Sequence, residues 1–234
     1  MFGKWSREVW VAVRITLLIA VVTGIAYPLV ITGISQGVFN GQANGSLLRD
    51  GHGNVIGSSL IGQCFYETST DKSGHVTYKT TKDDQGNAIF VIDPRYFQSR
   101  PSFTVDAGGN PLPCNAANST GSNLGPSNQK LISRIKGYAD YLYSLGVAVN
   151  ADGTHAPMPV DLVTGDFTGF DPDLSEAAAL AQVGMVAGAR GTTTASVHQL
   201  VENCVQGRVL WIFGSPYIDV LNLNRALDGG ASTC

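Results

Sequence analysis

Charged residues are scarce in this sequence. Asp, Glu, Lys and Arg make up 14% of its 234 residues, where an ordinary soluble domain carries roughly 25%. The net charge is −3, and no basic stripe exists to neutralise phosphates, which argues against a nucleic-acid partner. Short catalytic signatures are missing as well: there is no G-x-x-x-x-G-K-[ST] phosphate loop, no G-x-S-x-G nucleophile turn and no Asp-Lys-Thr-Gly phosphorylation motif. His52, His75, His155 and His198 share no spacing. The four cysteines stand 50, 90 and 30 residues apart, which is no zinc pattern.

What is abundant is apolar side chain, 44% of the total, enough for a core. It is concentrated first in one run. From residue 9 to residue 34 the only charge is Arg14. As a helix that run extends about 39 Å at 1.5 Å per residue, more than the roughly 30 Å of a bilayer's hydrocarbon core. Arg14 lies far enough from its middle to snorkel, and Trp5 and Trp10 suit the same interface. Residues 1–34 carry a balance of +2, all of its basic residues N-terminal, against −5 for the remainder. That asymmetry predicts a cytoplasmic residue 1–8 segment and an exported body. A cleaved leader is the competing reading, with Gly24-Ile25-Ala26 as a small-x-small site; the apolar run continuing through Leu29, Val30 and Ile31 favours an anchor. Pro28 near the outer end is tolerable there.

The body reads as α+β. "RDGHGN" between Leu47–Leu48 and Val55–Ile56 predicts a hairpin, and "KDDQGN" between "HVTYKT" and "AIFVID" predicts another. Prolines at 101, 111 and 113 mark a loop-rich region. Leu131, Ile135, Tyr138, Leu142 and Leu145 predict a helix, with Ser127 as N-cap and Gly146 as its stop. "DPDLSEAAALAQVGMVAGARG" predicts a second helix, with Asp173 and Glu176 in capping-box spacing and Gly191 closing it. Its alanines and glycines predict close packing. Val197, Leu200, Val201, Cys204 and Val205 form the stripe of a third. "RVLWIFG" and "YIDVLNLNRAL" read as closing strands, the second alternating through Ile218, Val220 and Asn222.

Candidate sites are few. Cys64–Cys114 is the first disulfide to test among three connectivities, provided the compartment is oxidising, whereas Cys204 in its apolar stripe reads as a small core residue. Ser119, Gly121, Ser122 and Asn123 belong to a glycine-bearing loop that runs into a helix N-terminus, whose free N–H groups can hold an anion; capping explains the loop as well. Asp161, Asp166, Asp171 and Asp173 do not have EF-hand spacing, and turn formation with helix capping accounts for them.

A resemblance adds to this. "TGIAYPLVITGISQGVFNGQANGSL", "GSSLIGQCF", "YFQSRPS", "NAANSTGSNLGPSN", "VDLVTGDFTGFDPDLSEAAALAQV" and "VLNLNRALD" follow one another between Thr23 and Asp228. In that order they resemble the KdpC family, one of the component proteins of the bacterial potassium-transporting ATPase. The resemblance implies a noncatalytic accessory subunit of an ATP-driven, high-affinity potassium pump in the bacterial inner membrane. Its partners would be a channel-like potassium-binding subunit, a P-type ATPase subunit and a very small membrane subunit.

The family also implies a single-pass chain with an uncleaved helix over residues 9–34 and an extracytoplasmic domain over 35–234. Such subunits are described as catalytic chaperones that raise the ATPase subunit's affinity for ATP, and are credited with ATP binding. No cofactor is implied to bind stably, ATP and potassium belonging to the complex. By resemblance, Gly24, Tyr27, Pro28 and Gly33 would pack against partner helices, where small residues permit close approach. Gln36, Gln42 and Asn44 would form the passage from membrane to domain. Residues 66–93 look like an insertion relative to the family, Asp173 and the surroundings of Met185 depart from its pattern, and the cysteines are extras. The alternatives from other classes are an anchored or secreted hydrolase and an envelope adhesin. A nucleophile–base pair in a pocket would mark the hydrolase, and a partner-facing helix and patch would mark the subunit.

Overall fold

The computed structural model describes residues 2–70, 76–83, 86, 88–229 and 234. It contains two compact units, Met1–Leu48 and Arg49–Cys234.

The first unit is helical. Helix α1 (Phe2–Val21) passes through a five-residue π segment (Val22–Ala26) into α2 (Tyr27–Val38), and a short α3 (Asn40–Ala43) follows. Pro28 explains the π segment: it has no N–H to give and its ring crowds the carbonyl four residues back. The neighbouring Tyr27 N–H reaches Val22 O, five residues back. From Trp5 to Val38 the helix is long and apolar enough to cross a membrane, and none of its most apolar window is buried within the chain.

After the helices comes the predicted hairpin, β1 (Leu47–Arg49) paired with β2 (Val55–Ser58). Next come β3 (Thr68–Thr70), β4 (Val76–Tyr78), β5 (Thr80–Lys82) and β6 (Ala88–Phe90). The sequence predicts that the whole stretches flanking "KDDQGN" pair with each other. In the structure β5 does pair with β6, Thr81 opposite Ile89, but β4 turns back onto β3, Ser69 opposite Thr77. Two hairpin arms therefore leave one junction. Three backbone bonds close it as a ring: Glu67 N–H to Val91 O (2.7 Å), Lys79 N–H to Glu67 O (2.9 Å) and Val91 N–H to Lys79 O (2.9 Å). The residue before each of these is aromatic, and Tyr66, Tyr78 and Phe90 pack with centroids 5.5–6.1 Å apart. Their twelve-residue spacing is an internal repeat, "YETSTDKSGHVT" then "YKTTKDDQGNAI". The β5–β6 arm shares a turn chemistry with three other hairpins. Asp50, Asp83, Asp106 and Asn150 each accept, at their carbonyls, from the N–H of a glycine three residues on. Those glycines, 53, 86, 109 and 153, all have φ between 81° and 85°, the bulge geometry that glycine adopts without cost.

The core lies further along. α4 (Gln129–Ser144), α5 (Val160–Val163), β7 (Asp173–Leu174), α6 (Glu176–Arg190), α7 (Thr194–Cys204), β8 (Ile218–Asp219) and α8 (Val220–Leu227) complete the order. Phe97, Ile92, Leu142, Leu162, Val186, Val201, Ile218 and Leu223 are all but fully enclosed. The three predicted helices are present, with shifted caps. Asn128 rather than Ser127 caps α4, through Lys130 N–H. Ser175 rather than Asp173 caps α6, through Ala178 N–H, and Gly191 closes α6 at φ 63°.

Two expected strands are corrected. In "YIDVLNLNRAL" the extended part ends at Asp219, with Tyr217 in an isolated bridge and Ile218–Asp219 as the strand. Asp219 then caps a helix by accepting from Asn222 N–H (2.7 Å), and Val220, Leu221, Leu223 and Asn224 are buried on it. Residues 208–214 form no strand but a tight turn, with a Val209–Phe213 bridge at its mouth. Cys204, expected to be a plain core residue, is bonded to Cys234; Cys64 is bonded to Cys114 with their Cα atoms 5.7 Å apart.

Candidate functional site

Three places hold side chains that the fold itself does not use up. The first is the apolar helix. A Cβ built on Gly24, Gly33, Gly37 or Gly41 would meet nothing within 4 Å, so these positions are open to a close neighbour. Tyr27 is exposed, as are Leu29, Val30, Ile31 and Ile34. Where the helix ends, Gln36 and Asn44 do come together. Gln36 Oε1 accepts from Asn44 Nδ2 (3.0 Å) and from Asn40 Nδ2 (3.2 Å), and Asn44 Nδ2 also donates to Asn40 O (2.7 Å). Gln42 lies outside that network, its carbonyl accepting from Gly45 N–H. Asn40 is the member that sequence reasoning missed, although the i, i+4, i+8 spacing of 36, 40 and 44 announces one helix face.

The second place is a cleft of about 400 Å³ lined by Ser122, Asn123, Leu124, Arg134, Asp166 and Phe167, among others. Of the predicted anion loop, Ser122 and Asn123 reach it. Ser119 does not line it, and Gly121 is pressed against the Phe167 backbone, where a Cβ would come within 3.3 Å. The loop also stops short of the α4 N-terminus, which Asn128 caps. The cleft's cation is Arg134, whose guanidinium stacks 3.8 Å over the Phe103 ring. Burial pulls its pKa below the usual arginine value. Its carboxylate, Asp166, is engaged by the N–H groups of Gly169 and Asp171 and the Thr168 hydroxyl. One positive and one negative group face the same space, so the cleft's charge does not select a polyanion.

Asp166 is thus a turn former, and Asp161 likewise accepts from Ser175 N–H (2.8 Å) and Asp171 from Asp173 N–H (3.0 Å). Asp173 is held at a pKa of about 6 by burial first, and then by the charges of Asp171 and Asp219. Among the described residues no group of three or more His, Cys, Asp or Glu side chains is arranged to hold a metal ion. His155 stacks on Tyr143 at 3.9 Å and His198 lies 3.6 Å from Glu202; His75 falls outside the described residues.

The third place, unanticipated from the sequence, is the turn at 209–213. Val209, Leu210, Trp211, Ile212 and Phe213 are 63–91% exposed.

Comparison with known proteins sets these features in a family. The family model described as K+-transporting ATPase, c chain (KdpC) matches residues 9–229. The Potassium-transporting ATPase KdpC subunit of Bradyrhizobium diazoefficiens is 41% identical over 232 residues, covering 97% of this chain and 98% of the relative. Its namesake in Rhodopseudomonas palustris is 40% identical over 228 residues, 95% of this chain and 98% of the relative. That of Caulobacter vibrioides is 40% identical over 211 residues, 90% and 87%.

Proposed function

Because this chain belongs to the KdpC family of the K+-transporting ATPase, we propose that it is a noncatalytic accessory subunit of an ATP-driven potassium import pump. The observation that carries the proposal is the extent of the match. One family model runs from residue 9, in the apolar helix, to residue 229, past the last helix.

The subunit is anchored in the inner membrane by the Trp5–Val38 helix with its N-terminus in the cytoplasm. Two independent features support that orientation. The basic residues Lys4, Arg7 and Arg14 all lie at the N-terminal end of the apolar run, as a cytoplasmic end requires. Both disulfides lie in the unit that follows it, as suits an oxidising compartment outside the cell membrane. The helix around Gly24, Tyr27, Pro28 and Gly33 meets the channel-like and P-type ATPase subunits and the very small membrane subunit. The Gln36–Asn40–Asn44 network stiffens the passage from helix to domain.

In this orientation only the short segment before the apolar run, residues 1–8, faces cytoplasmic ATP. The subunit therefore raises the ATPase subunit's affinity for ATP by stabilising the assembled pump through helix and outer domain, and ATP and potassium remain ligands of the complex. Outside the membrane, the net −5 of residues 35–234 modestly enriches potassium near the uptake face, an effect that salt screens. The test is the pump purified with and without this chain. Its omission is expected to raise the KM for ATP and lower complex recovery; unchanged recovery and KM would overturn the reading.

A further inference from the structure

Soluble domains rarely display a contiguous run of large apolar side chains without a purpose for it. Residues 209–213 do so at the end of a two-stranded stem. Gln206 and Tyr217 exchange both backbone hydrogen bonds (2.8 and 3.1 Å) at its base, and Val209 and Phe213 exchange both (3.0 Å each) near its tip. At the tip Leu210 and Trp211 have φ of 51° and 59°, a left-handed conformation normally left to glycine or asparagine because bulky side chains are disfavoured there. The turn is thus built to project side chains, not merely to reverse the chain. Trp211 is the most exposed of them, at 91%.

The surrounding charge points to the occupant. Between Glu202 and Asp219 the sole charged residue is Arg208, at the foot of the turn. No acidic group in this stretch opposes an anionic surface. An aromatic tip above a single basic residue is the composition that settles at the boundary between acyl chains and phosphate headgroups. Arginine there reaches the phosphates while its stem lies along the apolar layer. The unit that carries the turn also follows in the chain on the unit that contains the apolar helix. A bilayer that holds that helix is therefore tethered to the unit that carries the turn.

We propose that the 209–213 turn inserts into the lipid surface of the membrane that holds the N-terminal helix, with Arg208 on the phosphate headgroups. This rests on the anchored reading above. It gives the outer domain a second attachment to the bilayer and so limits its rotation about the helix.

The test uses the full chain carrying Trp5→Phe and Trp10→Phe. Trp211 is then the sole tryptophan of the three in the sequence, and the replaced pair is exposed on the helix. The protein is reconstituted alone into phosphatidylcholine–phosphatidylglycerol vesicles with brominated acyl chains. Trp211 emission is expected to shift to the blue and to be largely quenched by the brominated chains, with little response to aqueous iodide. Quenching by iodide and none by bromine would overturn the proposal. So would protection that arises only when the channel-like and ATPase subunits are added, still without bromine quenching, since the occupant would then be protein. A companion chain with Trp5→Phe and Trp211→Phe reports on Trp10. If Trp10 is quenched and Trp211 is not, the turn proposal alone fails; if neither is quenched, the anchored reading fails with it.

Discussion

The side-chain amide of Asn224 pairs with the backbone of Phe97 as a neighbouring strand would. Its Oδ1 accepts from Phe97 N–H (2.9 Å) and its Nδ2 donates to Phe97 O (2.9 Å), across 127 residues of chain. Gln182 does the same one residue on, accepting from Gln98 N–H (2.7 Å) and donating to Gln98 O (3.2 Å). Both amides are almost completely buried. Two helices thereby clamp the extended segment "YFQSRPS", and Arg190 reinforces the end by donating to Arg95 O, Leu227 O and Asp228 Oδ1.

Asn224→Leu keeps the volume and removes both bonds, leaving a buried N–H and a buried carbonyl without partners. At about 1–3 kcal/mol for each such group, the variant is expected to lose roughly 2–6 kcal/mol of stability in urea unfolding of the full chain in detergent. A loss within error would contradict the clamp.

Asp173 gives a signed pH dependence. Burial and the nearby carboxylates of Asp171 and Asp219 raise its pKa from 3.8 to about 6, so the folded state favours its protonated form. Its contribution to stability is complete below about pH 4 and disappears as the pH rises through 6. Asp173→Asn is therefore expected to stabilise the protein relative to the parent at pH 7.5 and not at pH 4. The gain is small, because the group is only half-buried and solvent screens it. Unfolding curves at the two pH values decide, and a difference that does not grow with pH would count against the assignment.

The disulfides close loops of 50 and 30 residues. Loop-closure entropy makes each worth about 4 kcal/mol. Replacing Cys64 and Cys114 together by serine is expected to lower Tm markedly, and replacing Cys204 and Cys234 to lower it by a comparable amount. A reductant should reproduce both losses in the parent and neither in the quadruple variant. Reductant-insensitive melting of the parent would show that the bonds carry no stability.

Gly62 and Gly184 should respond in opposite ways to alanine. A Cβ on Gly62 would overlap the Asp171 carbonyl, which is fixed backbone, whereas on Gly184, inside α6, the nearest atom is Gly146 O at 3.6 Å. Gly62→Ala is expected to cost about 1–3 kcal/mol as overpacking. Gly184→Ala should gain about 0.5–1 kcal/mol from helix propensity. Thermal melts of the two variants side by side test the contrast.

How far the fold was legible follows from where pattern and packing agree. The apolar run to Ile34 is readable from its length, the stripes of α4 and α7 from one helical period each, and α6 from its alanines and its closing Gly191. The last helix is not. Ile218, Val220 and Asn222 alternate like a strand, while the positions that are buried together, Val220, Leu221, Leu223 and Asn224, fit a helix capped by Asp219. The apolar run 209–213 reads as a strand because no local signal says that it is a turn with its side chains facing outwards. Cys204 belongs to an apolar stripe and to a disulfide at once, and only the position of Cys234 in the fold separates the two. Ser122 and Asn123 reach the cleft, but the cap at Asn128 and the meeting of Arg134 and Asp166 in one cleft depend on residues distant in sequence.

The most direct measurement is recovery of partners. The tagged chain is purified in mild detergent from potassium-starved cells of its native host, and every co-purifying chain is identified. A P-type ATPase chain and a channel-like chain in comparable amounts are expected. Recovery of this chain alone, intact and stable, would contradict its assignment as a pump subunit.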